Sequence, residues 1–186
     1  TVFVRRPNIS MLQLPPNITI NCNASTDPAN TGWPTINGLP FGSDDICNFH
    51  VDTSSIITPP SACGNRTILR QWTVSDNCII ADVLTGTQVI ILKDTTPPVI
   101  ACTDSVFYQT DPGFCNADIV LDIPVVTDNC SQTYISATIP GYAVVNNMVQ
   151  NLPKGMYTVT YVAGDSCNNV SAACTSKIFV FDNESP

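Results

Sequence analysis

A chain of 186 residues with 44% hydrophobic and 12% charged residues is long enough for one or two small domains and apolar enough to fold. A net charge of −8, with seven lysines and arginines and no basic cluster, excludes a nucleic-acid backbone as partner, because phosphate binding needs a concentrated cationic face. No apolar run approaches the roughly 18 to 20 residues of a membrane helix, and no basic amphipathic stretch would seat the chain on a bilayer, so no membrane insertion is expected.

Residues 1–14 open with Thr1-Val2-Phe3-Val4, which has strand character. This stretch reads as the end of a preceding domain, an edge strand donated to a neighbour, or a frayed terminus. Short β-rich runs follow at 18–20, 49–51, 67–74 and 88–92, then at 106–109, 117–123, 134–139, 157–163 and 177–181. Each is bounded by Pro, Gly, Asn or Asp, and helix-forming residues are sparse. The pattern predicts an all-β chain of two tandem immunoglobulin-like antiparallel β-sandwiches, spanning 15–94 and 95–186. Counting back from Asp76-Asn77-Cys78 and Asp165-Ser166-Cys167 puts Trp72 and Tyr161 at one position, where a large aromatic would fill the core.

The two halves repeat one another. Pro15-Pro16-Asn17-Ile18-Thr19-Ile20-Asn21-Cys22 is answered by Pro97-Pro98-Val99-Ile100-Ala101-Cys102, and each leads through further cysteines to an Asp-x-Cys turn. Nine cysteines without any Cys-x-x-Cys pair point to disulfides rather than zinc, and so to an oxidising, extracellular compartment. No signal peptide stands at the start, so the signal of a secreted form would lie outside this segment or have been removed. Matching the copies pairs Cys47 with Cys63 and Cys115 with Cys130, at spacings of 16 and 15, each bridge contributing about 3 kcal/mol on a loop-entropy model. The outer pairs are then Cys22 with Cys78, and Cys102 with either Cys167 or Cys174. Cys174 is favoured because it begins the last strand, which should run beside the first. Cys167 is left over, as a buried thiol or an intermolecular bridge. One geometric tension remains, since a straight strand of about 26 Å over 116–123 would carry the chain away from Cys115.

The string Asp94-Thr95-Thr96-Pro97-Pro98-Val99-Ile100-Ala101-Cys102, continued by Cys115-Asn116-Ala117, Thr127-Asp128-Asn129-Cys130, Tyr157-Thr158-Val159-Thr160-Tyr161 and Asp165-Ser166-Cys167-Asn168-Asn169, resembles a hyalin (HYR) repeat. It is most similar to the repeats of large Bacteroidota surface adhesins and gliding-motility proteins, and such repeats also occur in animal matrix proteins. Arg70-Gln71-Trp72-Thr73-Val74-Ser75-Asp76-Asn77-Cys78 is similar to a related module of the same adhesins. The chain departs from the repeat pattern at Cys102-Thr103, where Cys-Pro is usual, and at Asn168-Asn169, where Gly-Asn is usual. The resemblance implies a tandem, non-enzymatic, extracellular or surface-anchored segment that acts as stalk or adhesion module, its partners being neighbouring domains or subunits and a surface glycan or protein ligand. In the Bacteroidota setting, Asp94-Thr95-Thr96 and Asp104-Ser105-Val106 match an O-glycosylation signal, making Thr95 and Ser105 candidate acceptors.

Catalytic chemistry is not signalled. The one histidine, His50, lies in Phe49-His50-Val51-Asp52 with no nucleophile patterned beside it. Structural calcium is the one cofactor suggested, with Asp76, Asp94, Asp165 and Asp182 as candidate ligands at turns and junctions, although no EF-hand loop is present. Asn-x-Ser/Thr triplets stand at Asn8, Asn17, Asn23, Asn65, Asn129, Asn169 and Asn183. Two further readings are a fibre subunit completed by strand exchange and a carbohydrate-binding accessory module presenting Trp33 or Tyr142.

Overall fold

The structure is a computed structural model and describes residues 9–36, 38–40, 49–76 and 82–184. The expectations for residues 2–4, Cys47 and Cys78 lie outside these residues. The chain divides into two compact units, residues 1–94 and 95–186.

The first unit begins with a 3-10 turn at Ile9–Met11 and β1 (Leu12–Gln13), followed by β2 (Ile18–Asn21), a one-turn helix α1 (Pro28–Thr31), β3 (Thr35–Ile36) and β4 (Leu39–Pro40). The long strands β5 (Phe49–Ile57), β6 (Arg66–Asp76) and β7 (Val83–Lys93) complete it. The main sheet has the order β2-β7-β6-β5 and the small one β1-β3-β4. Leu12 is buried in this unit's core with Ile36, Phe49, Val51, Trp72 and Val74. Residues 12–13 therefore belong to the first sandwich and not to a preceding domain.

In β6 every second residue turns inward, so Ile68, Arg70, Trp72 and Val74 are all buried. An arginine in that row has to be satisfied locally. Its guanidinium donates to Thr31 Oγ1 at 2.7 Å and to the carbonyl of Thr26, and it lies 5.7 Å from the Trp72 ring centroid. Directly across the ladder, Gln88 is fully buried; its amide donates to the carbonyls of Pro16 (3.0 Å) and Thr31 (2.6 Å), and its Oε1 accepts Trp72 Nε1–H at 3.4 Å. These bonds fasten the loop carrying α1 onto the sheet, where Trp33 packs 5.8 Å from Trp72.

The second unit comprises β8 (Val99–Ala101), β9 (Ser105–Gln109), β10 (Asn116–Val120), β11 (Val125–Thr127), β12 (Thr133–Thr138), β13 (Met148–Pro153), β14 (Gly155–Asp165) and β15 (Cys174–Phe181). The sheet β12-β14-β15-β9 is covered by the antiparallel pairs β10–β13 and β8–β11. Ala117, Ile119, Val149 and Leu152 from the covering layer meet Val159, Tyr161, Ile178 and Val180 in one core. Burial pushes the Tyr161 phenol up to about 12, and its hydroxyl donates to the Asp122 carbonyl at 3.0 Å. Opposite Tyr134, Gly164 leaves room that a side chain would fill, since a Cβ there would lie 2.4 Å from the Tyr134 ring.

Both units are all-β sandwiches, each with one departure from pure antiparallel pairing. β2 runs parallel to β7, and β9 runs parallel to β15. The duplicated prolyl strings also take different places: β2 joins its main sheet, whereas β8 pairs with β11 in the covering layer. Trp72 and Tyr161 do occupy matching positions, four residues before the buried Asp76 and Asp165 that close eleven-residue strands. Replacing Trp72 by alanine removes the largest buried side chain and one end of the Gln88 network, so urea unfolding of the first unit should lose about 3–5 kcal/mol of stability.

Candidate functional site

The second unit concentrates its polar architecture at the pole where β14 ends. Asp165 is almost fully buried there, and its Oδ1 accepts the backbone N–H groups of Cys167 and Asn169, both at 2.8 Å. Its Oδ2 accepts the Asn169 amide at 2.8 Å. The turn needs one left-handed residue, which Asn168 supplies at φ 68°, a conformation asparagine adopts more readily than most residues. Burial pushes the Asp165 carboxyl up, but the hydrogen bonds from Asn169, from the Cys167 N–H and from the Ser131 hydroxyl outweigh it and hold the group below its ordinary value.

A second aspartate turn converges on the same pole. Asp128 Oδ1 accepts the N–H groups of Cys130 (2.9 Å) and Ser131 (2.7 Å), and its Oδ2 is buried without a hydrogen-bond partner. Carboxylate oxygens of Asp128 and Asp165 lie within 4.8 Å of one another. In the sequence Asp128 stands in Thr127-Asp128-Asn129-Cys130 with no role of its own, and its signal is the Asp-x-Cys spacing it shares with Asp165.

The four aspartates proposed for calcium do not form one site. Within the first unit, Asp76 closes β6 and Asp94 follows β7, at opposite ends of the β6–β7 ladder and roughly 30 Å apart at strand rise. Within the second, Asp165 lies beside the Cys174 end of β15, while Asp182 follows its other end, exposed and accepting the Glu184 N–H. Asp128 and Asp165 spend most of their oxygens on the turns, so these two alone do not supply the six to eight oxygens, waters included, that calcium takes.

The cysteine framework differs from the expectation at one bridge. Cys102 and Cys174 are joined, with Cα atoms 5.9 Å apart, and Cys22, Cys63, Cys130 and Cys167 are each in a disulfide. Cys115 is free and exposed. The proposed Cys115–Cys130 bridge therefore does not form, and Cys167 is not the odd cysteine. The reason is distance. Asn116 pairs with Pro153 beside the start of β14, whereas Ser131, next to Cys130, reaches Asp165 at its end, and eleven residues of strand lie between, roughly 30 Å.

Other sequence candidates fall on the surface. His50 Nε2 stands 3.2 Å from Asp52 on an exposed strand face. Thr95 and Ser105 are exposed. Of the asparagine triplets, Asn8 lies outside the described residues; Asn17, Asn65 and Asn169 are engaged through their side chains, and Asn23, Asn129 and Asn183 are exposed. Trp33 packs on Trp72, and Tyr142 packs edge-on against Tyr157 at 5.4 Å, so each spends a ring face internally. A recess of about 380 Å³ is lined by Ala143, Val145, Asn146, Met148 and Gln150, none of which titrates.

The Asp165 turn makes a signed pH prediction. Its stabilisation is complete above the unfolded-state value near 3.8 and is lost as pH falls through the lower folded value. Acid titration followed by near-UV circular dichroism should show this step, and Asp165→Asn should remove it while costing about 1–3 kcal/mol at neutral pH. A maleimide probe on the native protein should label Cys115, and Cys115→Ser should lower incorporation by one equivalent.

Residues 93–180 match the family model of the HYR domain. Hyalin of Lytechinus variegatus is 26% identical over 171 residues, covering 89% of this chain and 30% of its own length. Hyalin of Strongylocentrotus purpuratus is 30% identical over 101 residues, covering 54% of this chain and 8% of its own. The chain thus spans less than a third of the length of these relatives. Among solved structures, the human protocadherin-24 EC1-2 pair is 14% identical with a TM-score of 0.39, covering 82% of this chain and 89% of that one. Residues 93–180 thus match the HYR-domain model, and the chain is similar to sea-urchin hyalin over most of its length.

Proposed function

We propose that this chain is a non-enzymatic, tension-transmitting segment of a large extracellular protein, a stalk or adhesion module. The supporting observation is the placement of Cys102–Cys174 on the parallel β9–β15 pair. Cys102 lies between β8 and β9, the first strand of the main sheet, and Cys174 is the first residue of the last strand, β15. Tension applied upstream of Cys102 crosses the disulfide and leaves along β15, so residues 103–173 stand off the force path. Once that bridge is reduced, the parallel pairing takes over, because pulling the two ends then loads the β9–β15 hydrogen bonds together in shear rather than one at a time.

The first unit repeats the parallel pairing of the first and last main-sheet strands in β2 and β7. The cysteine framework and the similarity to hyalin both support an extracellular location. A bacterial surface adhesin and an animal matrix protein would each have use for such a segment.

Pulling the 186-residue chain by its ends in an optical trap tests the reading. Reducing Cys102–Cys174, which spans 72 residues, should add roughly 250 Å of extensible length to the second unit. Equal extensions before and after reduction would contradict the proposed force path.

A further inference from the structure

One edge of the first unit's main sheet is long and regular. β5 runs nine residues at the edge of its sheet and keeps a continuous, bulge-free ladder with β6. The ladder's phase is fixed by the Thr58 N–H, which donates to the Thr67 carbonyl at 2.9 Å. In the antiparallel pattern, residues 50, 52, 54 and 56 then exchange bonds with β6, while Val51, Thr53, Ser55 and Ile57 turn their N–H and C=O groups away from it. Among the described residues no strand pairs on that side.

Exposed edges are ordinarily blunted by charge, proline, bulges or shortness. After Asp52 this strand has none of these; Thr53-Ser54-Ser55-Ile56-Ile57 is uncharged, and Ile56 and Ile57 are 71% and 58% exposed. The other edges are shorter: four residues in β2, six in β12 and five in β9.

We propose that β5 pairs antiparallel with β5 of a second copy of this chain, about a two-fold axis at Ser54. The strand is its own complement in this register. Val51 faces the partner's Ile57 and Thr53 faces the partner's Ser55, so all four outward residues of each copy are satisfied, by about eight hydrogen bonds in all. Asp52 faces the partner's Ile56 and His50 the partner's Thr58, which keeps the two carboxylates apart. The two four-stranded sheets become one. This inference stands on the strand geometry and is independent of the force-path reading.

Sedimentation equilibrium on the 20.0 kDa chain, in a Cys115→Ser background so that covalent dimers do not intrude, tests it. Mass should double as concentration rises into the high micromolar range. Ser55→Pro removes an outward N–H that β6 does not use, so it should weaken the dimer at least tenfold with the unfolding midpoint unchanged. Ser54→Lys sets two ammonium groups against each other at the axis and should weaken the dimer similarly. A wild-type chain that stays monomeric throughout overturns the proposal. So does a dimer that survives Ser54→Lys unchanged, even where Ser55→Pro fails to fold.

Discussion

The constraint on which each unit depends is that the first and last strands of its main sheet, in chain order, lie side by side and parallel. A parallel pair cannot be closed by a hairpin; the chain has to leave the pair, build the body of the sandwich and return in the same direction. In the second unit that excursion is everything between β9 and β15, and Cys102–Cys174 seals its neck. The same pairing sends the chain in at one pole and out at the other. A module made this way can be joined end to end without rerouting its strands, which is the property a tandem segment needs.

Sandwiches this small bury limited apolar area, and both units supplement it with buried polar groups in fixed geometry. The first has a two-residue β1 and β3 where a full covering sheet would stand, and Arg70 and Gln88 hold the α1 loop over the gap. Desolvation lowers the Arg70 pKa, with Asp27 drawing it back, so the guanidinium depends on its carbonyl and hydroxyl acceptors. Losing one acceptor would strand a buried charge, a larger penalty than the bond's own strength. In the second unit Asp165 does the complementary task with an anion, gathering backbone N–H groups at the end of β14.

Much of this was legible in the sequence, because strand alternation and turn chemistry are local. The inward row Ile68, Arg70, Trp72, Val74 and its counterpart through Tyr161 follow from period two alone. What escaped was whatever lacks a local pattern. β13 is interrupted by Asn151 at φ 53° and ends in proline, so its residues do not alternate. Residues 53–57 of β5 are exposed on both faces and carry no hydrophobic period, hence the strand seemed to end at Val51. Parallel pairing is a matter of topology, and no residue announces it.

The cysteines show the same limit from the side of chemistry. Spacing in the two copies matched Cys47–Cys63 with Cys115–Cys130, but a spacing rule assumes that equal loops follow equal paths. The prolyl strings already take unequal paths, β2 in the main sheet and β8 in the covering layer. Once the second unit sends β10 along β13, Cys115 is carried to the pole opposite Cys130, and the Lys154 N–H fixes its carbonyl there at 3.1 Å. Nine is an odd number, so at least one thiol must lack a partner within the chain. Strand direction, more than sequence spacing, decides that Cys115 is such a thiol and leaves it at the surface, away from the pole where Cys130 and the Asp165 turn lie.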